Sequence, residues 1–182
     1  HFYIQRMSEK ITLAKGRYLS LVEKDHYEFA ERIRGNGVAV ILPITDDGKV
    51  ILVEQHRMAI NSRAIELPAG LANDEIKPGE KAESLEQTAH RELIEETGYQ
   101  ANKMQHLGTF PTSSGMSSEE VAIYYASGLK KIAAGGGDAS ERIVVHEVPY
   151  KSMTAWLNEK HKAGYSLDYK IFAAAFLYEQ LS

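Results

Sequence analysis

The feature of this sequence that most constrains its fold is the run Arg-Glu-Leu-Ile-Glu-Glu-Thr-Gly-Tyr at positions 91–99. The apolar spacing before and within it predicts a helix over Glu83 to Thr97. Glu92, Glu95 and Glu96 stand at i, i+3 and i+4, so their carboxylates project from one side of that helix. Like charges this close repel one another, and a hard divalent metal with oxygen ligands is the natural cation to offset them.

The remaining pattern favours a mixed-sheet α/β (α+β) domain, because many strands precede one helix and regular βαβ alternation is absent. Short strands are predicted in the N-terminal segment, over 11–13, 17–22 and 27–33. Asp46-Asp47-Gly48 predicts a hairpin between two buried strands. Further strands are predicted over 37–44, 50–55, 64–67, 103–110, 120–126 and 142–148, and further helices over 151–162 and 168–181. Residues 71–81 are predicted to be a polar loop and 133–140 a mobile glycine-rich segment.

Composition excludes several classes of protein. The chain has 182 residues, 43% of them hydrophobic, which suits one domain with a small appended element. Its net charge of -4 and scattered Lys and Arg disfavour a nucleic-acid partner. The absence of Cys excludes disulfides and thiolate metal sites, and fits a cytoplasmic location. No apolar run predicts a transmembrane helix and no signal peptide is evident. Met7 is a candidate native start, which would leave His1 to Arg6 outside the native chain.

The run at 91–99 resembles the second half of the Nudix box, the signature of the Nudix hydrolases. Seven residues separate Glu83 from Arg91, as this pattern requires, and Gly70 is the counterpart of its leading glycine. Twelve residues rather than five separate Gly70 from Glu83, so the loop carries a seven-residue insertion. Glu80 is an alternative counterpart of the first glutamate, but it breaks the spacing to Arg91.

The resemblance implies a Nudix fold, with a mixed β-sheet sandwiched between helices, and a metal-dependent hydrolase. Glu92 and Glu96 are then the expected Mg²⁺ ligands, with Mn²⁺ as a substitute, and Glu95 ligates or positions a metal. The backbone carbonyl of Ala69 is a further ligand in similar proteins. Arg91 is expected to contribute to catalysis by orienting Glu95, because carboxylates that bind a metal need hydrogen-bond partners to hold them.

Other segments resemble the branch of ADP-ribose pyrophosphatases and nucleoside diphosphate sugar hydrolases. Arg57 follows Val-Glu-Gln-His at a predicted strand end and is expected to hold the substrate diphosphate. Glu119 matches a loop glutamate near the metal or the terminal ribose, and Glu120 is its close rival. The base that activates the water often comes from a loop near the C-terminal strand, where Glu141 is the candidate and Asp138 the fallback.

The resemblance also divides the chain into an N-terminal β-strand element over 1–35 and a Nudix hydrolase domain over 36–182. In this branch the N-terminal strands commonly mediate homodimerisation and present aromatic side chains to the base of the partner's substrate. Tyr18, Tyr27 and Phe29 are the candidates for that stacking.

The function predicted is hydrolysis of the diphosphate linkage of a nucleoside diphosphate sugar, such as ADP-ribose, to a nucleoside monophosphate and a sugar phosphate. One alternative is a Nudix hydrolase of dinucleoside polyphosphates, capped RNA ends or oxidised nucleotides. Another, from a different class, is a non-catalytic nucleotide-binding regulator, which the intact set of Glu92, Glu95 and Glu96 disfavours.

Overall fold

The computed structural model describes residues 9–73, 81–137 and 142–181. Residues 1–7, with the candidate start Met7, lie outside these ranges, and so do Glu80, Asp138 and Glu141. None of the helices found within the ranges combines the length and the apolar character that crossing a bilayer requires.

Three antiparallel strands form a separate sheet at the N-terminal end of the described chain. They are β1 (Ile11–Lys15), β2 (Leu19–Lys24) and β3 (Tyr27–Arg32), with β2 in the middle. The turn between β2 and β3 passes through Asp25 and His26, which both have positive φ values of 52° and 65°. That backbone is typical of a type I′ turn, whose twist matches the twist of the strands that it joins.

Two four-stranded mixed sheets form the centre of the molecule. The strands β4 (Val38–Pro43), β7 (Ala69–Leu71), β9 (Lys103–Pro111) and β10 (Glu120–Ser127) make the first, in the order β7-β4-β10-β9. The strands β5 (Lys49–Arg57), β6 (Ser62–Glu66), β12 (Val144–Pro149) and β13 (Ser166–Leu167) make the second, in the order β12-β5-β6-β13. The pairs β4–β10 and β6–β13 are parallel and the others antiparallel. A further short pair joins β8 (Tyr99–Gln100) to β11 (Lys130–Lys131).

Helices cover both faces of these sheets. They are α1 (Leu85–Thr97), α2 (Met153–Lys162) and α3 (Lys170–Glu179). Successive residues of β4 belong to different cores, because strand side chains alternate between faces. Ile41 packs in the core beneath α1 with Leu93, whereas Leu42 packs in the core that includes Leu157 of α2 and Ile171 of α3. This arrangement confirms the predicted α/β (α+β) fold, with mixed sheets between helices.

The ends of α1 are fixed by short-range signals in the sequence. Ser84 caps the N-terminus in a capping box: its hydroxyl accepts from Gln87 N–H at 3.2 Å, and its own N–H donates to Gln87 Oε1 at 2.9 Å. The helix therefore begins at Leu85, two residues later than predicted, and Glu83 precedes it. Gly98 ends the helix in the left-handed conformation, with φ at 76°.

The predicted hairpin at residues 46–48 is present, with Gly48 at a φ of 77° and its N–H donating to the Thr45 carbonyl at 2.9 Å. The short strands β7, β8, β11 and β13 were not predicted. Two or three residues cannot display an alternating pattern, so such strands are defined only by the partner that they pair with.

A buried carboxylate on β5 ties α2 to the second sheet. Glu54 is only 4% exposed and contacts His146 Nε2 at 2.8 Å, Arg63 Nε at 2.5 Å and Lys160 Nζ at 3.5 Å. Burial by itself raises the pKa of Glu54. The hydrogen bond from His146 and the charges of Arg63 and Lys160 outweigh that effect and hold the pKa below its usual range.

Glu54→Gln should lower the free energy of unfolding by ~2 kcal/mol at neutral pH, because it removes the charge that three polar groups surround. A carboxyl whose folded pKa is depressed stabilises the fold above its unfolded pKa and stops doing so as the pH falls through the folded pKa. The difference between variant and wild type should therefore shrink below pH 4.5. Urea unfolding at several pH values measures it, with exposed Glu159→Gln on α2 as the control. A difference that does not change with pH would contradict this account.

Candidate active site

A cavity of about 1230 Å³ opens where the ends of several strands meet α1. Its lining comes from the ends of β3, β5 and β6, from β7 and α1, and from the start of α3. The N-terminal sheet, both central sheets and two helices thus contribute to one site. The fold gathers here side chains that are far apart in the sequence.

The carboxylate helix presents Glu92 and Glu95 to this cavity, with Arg91 between them. One guanidinium nitrogen of Arg91 donates to Glu92 Oε1 at 2.7 Å and to Glu95 Oε2 at 2.9 Å. The same guanidinium donates to both oxygens of Glu83 at 3.2 Å. Burial alone lowers the pKa of Arg91, but the hydrogen bonds to Glu83 and the charge of Glu92 raise it above its ordinary value. Arg91 therefore stays cationic and holds three carboxylates, including that of Glu83, the predicted counterpart of the first glutamate of the Nudix box.

The backbone of β7 lies close to the side chains of Glu92 and Glu96. The N–H of Ala69 donates to Glu96 Oε2 at 3.1 Å, and Glu96 is 4% exposed. A Cβ on Gly70 would lie 1.9 Å from the carboxylate carbon of Glu92, so only glycine leaves room for that carboxylate. The side chains of Glu92 and Glu96 therefore both approach the backbone at Ala69 and Gly70. The carboxylate and backbone oxygens at this point are suitable ligands for a cation.

These oxygen donors fit a hard divalent ion such as Mg²⁺. Among the described residues, no three His, Asp or Glu side chains lie close enough together to hold a metal ion by themselves. The carboxylates of Glu92 and Glu95 are instead both paired with the guanidinium group of Arg91. The donor set thus fits the predicted ion, and the metal roles of Glu92, Glu95, Glu96 and Ala69 stay predictions.

Arg57, at the end of β5, lines the same cavity and is paired with Glu66 of β6. Its Nε lies 2.9 Å from Glu66 Oε1, and a terminal guanidinium nitrogen lies 2.5 Å from Oε2. The hydrogen bonds to Glu66 raise the pKa of Arg57, and the nearby charges of Glu96 and Asp168 add to that effect. Glu66 is 7% exposed and holds the guanidinium in place, as the predicted diphosphate contact would need.

A second arginine, Arg32 at the end of β3, lines the same cavity and is ion-paired with Glu119. The sequence places Arg32 at a strand end 87 residues from Glu119 and carries no signal for their contact. Two hydrogen bonds of Ala30 hold strand β3 in this position. The N–H of Ala30 donates to the Met116 carbonyl at 2.8 Å, and the carbonyl of Ala30 accepts from Ser118 N–H at 3.1 Å. The N-terminal sheet is therefore docked on the loop that carries Glu119. Sequence reasoning missed Arg32 and Glu66.

The three aromatic residues predicted to stack on a base do not line the cavity of this chain. Tyr18 and Tyr27 are both 54% exposed, and Phe29 is partly buried. The hydroxyl of Tyr27 donates to the Gly115 carbonyl at 3.0 Å, which helps to hold the docked loop. Stacking by these residues stays a prediction that requires the substrate of a second copy.

Charge in the cavity is mixed, with a small excess of carboxylates over cations among the described lining residues. The cations are Arg32, Arg57, Lys81, Arg91 and Lys170, and the carboxylates are Glu66, Glu83, Glu92, Glu95, Glu119 and Asp168. Lys170 Nζ pairs with Asp168 at 2.6 Å, so most of these cations are already neutralised within the protein. The side chains alone do not create a strongly positive field for an anionic substrate.

The model of the NUDIX domain matches residues 34–167. The chain belongs to the Nudix family. The match covers β4 to β13, and it begins after the N-terminal sheet. Apart from Arg32, Asp168 and Lys170, the residues that line the cavity lie within the matched Nudix domain.

Several curated proteins are similar to this Nudix chain. A methanol dehydrogenase activator of Bacillus methanolicus is 36% identical over 131 residues, which is 71% of this chain and 67% of the relative. An ADP-ribose pyrophosphatase of Bacillus subtilis is 33% identical over 144 residues, 76% of this chain and 74% of the relative. A GDP-mannose pyrophosphatase of Citrobacter koseri is 30% identical over 176 residues, 83% of this chain and 87% of the relative. The crystal structure of an ADP compounds hydrolase superposes with a TM-score of 0.71 at 23% identity, covering 96% of this chain and 92% of the other, which shows the shared fold.

Proposed function

We propose that this protein hydrolyses the diphosphate linkage of a nucleoside diphosphate sugar, such as ADP-ribose or GDP-mannose, to a nucleoside monophosphate and a sugar phosphate. The observation that carries the proposal is that Glu92 and Glu95 of α1 line the same cavity as Arg57 and Arg32. The similarity to pyrophosphatases of both substrate types supports it.

The ion proposed for the site is Mg²⁺, with Mn²⁺ as a substitute, held by Glu92 and Glu96 with Glu95 and the backbone of Ala69 beside them. Such an ion neutralises phosphate charge, polarises the phosphoryl group and lowers the pKa of a bound water. The small excess of carboxylates in the cavity supports this requirement, because a diphosphate would otherwise be repelled. Arg91 keeps the carboxylates in place during the reaction.

Arg57 and Arg32 are the side chains proposed to bind the two phosphates. A guanidinium donates two parallel hydrogen bonds to phosphate oxygens, and such charge-assisted bonds are stronger than neutral ones. Arg57 is pre-positioned by Glu66, so little conformational freedom is lost when the substrate binds. Glu119 lies beside Arg32 and is proposed to contact the terminal ribose or the metal.

Activation of the attacking water is assigned to Glu141, with Asp138 as the alternative, and both lie outside the described residues. Glu95 is a third acid at the cavity, where 51% of its side chain is exposed and Arg91 holds one oxygen. Exchanging each acid for its amide and comparing the pH dependence of kcat separates these roles, because loss of the base removes the acidic limb of the profile.

A homodimer through the N-terminal sheet is part of the proposal. The sheet exposes several large apolar side chains, namely Ile11, Leu13, Tyr18, Leu19, Leu21 and Tyr27. Exposed apolar surface of this kind marks interaction sites. Light scattering that gave the mass of a single chain at micromolar concentration would contradict the dimer. The assignment of residues 1–35 as a dimerisation element and the cytoplasmic location stay predictions.

The function is tested with a substrate panel in the presence of Mg²⁺. ADP-ribose, GDP-mannose and related sugars are compared with dinucleoside polyphosphates, capped RNA and an oxidised nucleotide. The expected result is release of sugar phosphate and nucleoside monophosphate, with the highest kcat/KM among the nucleoside diphosphate sugars. Reaction in oxygen-18 water shows which phosphorus is attacked. The proposal fails if none of these sugars is cleaved, or if another class of nucleotide is cleaved with the higher kcat/KM.

A further inference from the structure

The glycine-rich segment that follows β11, residues 133–137, caps the C-terminal end of α1. The last carbonyls of a helix have no partner within the helix and need one elsewhere. Here the N–H of Gly136 donates to the Glu96 carbonyl at 2.8 Å, and the N–H of Gly137 donates to the Glu95 carbonyl at 3.1 Å. Two of the glutamates assigned to the metal site are therefore held at both ends, by their side chains and by their carbonyls.

The segment also packs backbone to backbone against the end of the helix. A Cβ on Gly135 would lie 2.4 Å from the carbonyl carbon of Thr97 and 2.7 Å from the nitrogen of Gly98. A Cβ on Gly98 would lie 2.1 Å from the carbonyl oxygen of Ala133. No side chain can move aside to relieve such contacts, so the two stretches of backbone must separate if either glycine is replaced.

The segment predicted to be mobile spans residues 133–140, and its described part, residues 133–137, is held by hydrogen bonds. The Gly98 carbonyl accepts from Ile132 N–H at 2.8 Å, and the Gly136 carbonyl accepts from Ile143 N–H at 3.3 Å. The segment is thus fixed before and after its glycines, and Gly137 lines the cavity. Its positive φ values serve a tight fit against α1, with Gly135 at 74° and Gly137 at 77°.

We infer that Gly135 is a positioning residue that sets the affinity of the site for its divalent ion. It allows the segment to approach closely enough to hold the carbonyls of Glu95 and Glu96, and this fixes the last turn of α1. Metal ligands must keep their distances within about 0.2 Å, so a small rotation of that turn weakens binding. The inference rests on the proposed metal role of Glu96.

Gly135→Ala and Gly48→Ala form a matched pair for the test. The two glycines have nearly equal φ values, +74° and +77°, so alanine meets the same backbone strain at both. A Cβ on Gly48 has nothing within 4 Å, whereas one on Gly135 meets backbone. Calorimetric titration with Mn²⁺ alone should show a Kd raised about tenfold or more in Gly135→Ala and unchanged in Gly48→Ala. In Gly135→Ala the Mg²⁺ concentration for half-maximal activity should rise, while kcat at saturating Mg²⁺ recovers. Equal Mn²⁺ affinities in both variants would overturn the inference.

A measurement on the wild-type protein covers the case in which Gly135→Ala does not fold. Coupling between two sites is reciprocal, so if the glycine segment favours metal binding, the metal must stabilise the segment. Mg²⁺ should slow hydrogen exchange at the amides of Gly136 and Gly137, and it should leave the hairpin amide of Gly48 unchanged. No change at Gly136 and Gly137 at saturating Mg²⁺ would overturn the inference.

Failure of the inference can be separated from failure of the proposed function. If Glu96→Gln binds Mn²⁺ as well as the wild type does, the assigned metal site is wrong and the inference fails with it. If Glu96→Gln loses Mn²⁺ binding while Gly135→Ala keeps it, the metal site stands. Only the positioning role of Gly135 is then excluded.

Discussion

Glu96→Gln should reduce kcat on the preferred nucleoside diphosphate sugar by ~10³-fold, equivalent to about 4 kcal/mol of transition-state stabilisation. The carboxylate is buried and touches the N–H of Ala69, and it has no replacement in that position if it is a metal ligand. Glutamine keeps the side-chain volume and can still accept the hydrogen bond from Ala69. The loss should therefore appear in the chemistry, and the fold should be retained.

The same substitution at Glu86, an exposed residue of the first turn of α1, is the matched control and should leave kcat within about twofold of the wild type. Circular dichroism and thermal unfolding of both variants check that α1 is intact. The Kd for Mn²⁺ should rise together with the loss of kcat in Glu96→Gln. Full activity in this variant would remove Glu96 from the metal site.

Gly70→Ala should reduce kcat/KM by ~100-fold at limiting Mg²⁺ while changing stability little. The three atoms nearest to the added Cβ all belong to Glu92, with the carboxylate carbon and Oε1 at 1.9 Å. Gly70 does not have a left-handed φ, so alanine meets no backbone strain there. The protein should accommodate the methyl group by moving the flexible carboxylate of Glu92 out of its place. A methyl group added at Gly70 should therefore displace one proposed metal ligand, the carboxylate of Glu92.

A double-mutant cycle with Glu92→Gln tests that route. If Gly70 acts only by leaving room for Glu92, the double variant should be no less active than Glu92→Gln alone, because the two changes remove the same interaction. Gly16→Ala, at another glycine without a left-handed φ, is the control for a glycine replacement remote from the cavity. Independent, additive losses in the cycle would show that Gly70 acts in another way.

The parts of the site that lie on one helix were predictable from the sequence. The i, i+3, i+4 spacing of Glu92, Glu95 and Glu96 fixes their common direction, since helix geometry is local. Gly98 ends that helix as its position predicts, whereas the helix begins after the Ser84 cap, two residues later than predicted. Arg91 was expected to orient Glu95, four residues on, and its guanidinium donates to that carboxylate at 2.9 Å.

Contacts between distant segments were not predictable in the same way. Arg32 reaches the cavity only because β3 docks on the loop at Met116 and Ser118, and Glu66 meets Arg57 only because β5 and β6 pair in register. Mobility was predicted from the three glycines at 135–137, because glycine allows many backbone conformations. The sequence does not show the surface against which these glycines pack.

The sequence by itself determined the fold class, the register of the carboxylate helix and the kind of ion that such a helix suits. These follow from local periodicity and from the charge of neighbouring side chains. Only the tertiary structure decided which cations share the cavity with that helix, how Gly70 makes room for Glu92, and what holds the carbonyls of Glu95 and Glu96. Those features depend on close approaches between strands, loop and helix, and spacing along the chain carries no information about such distances.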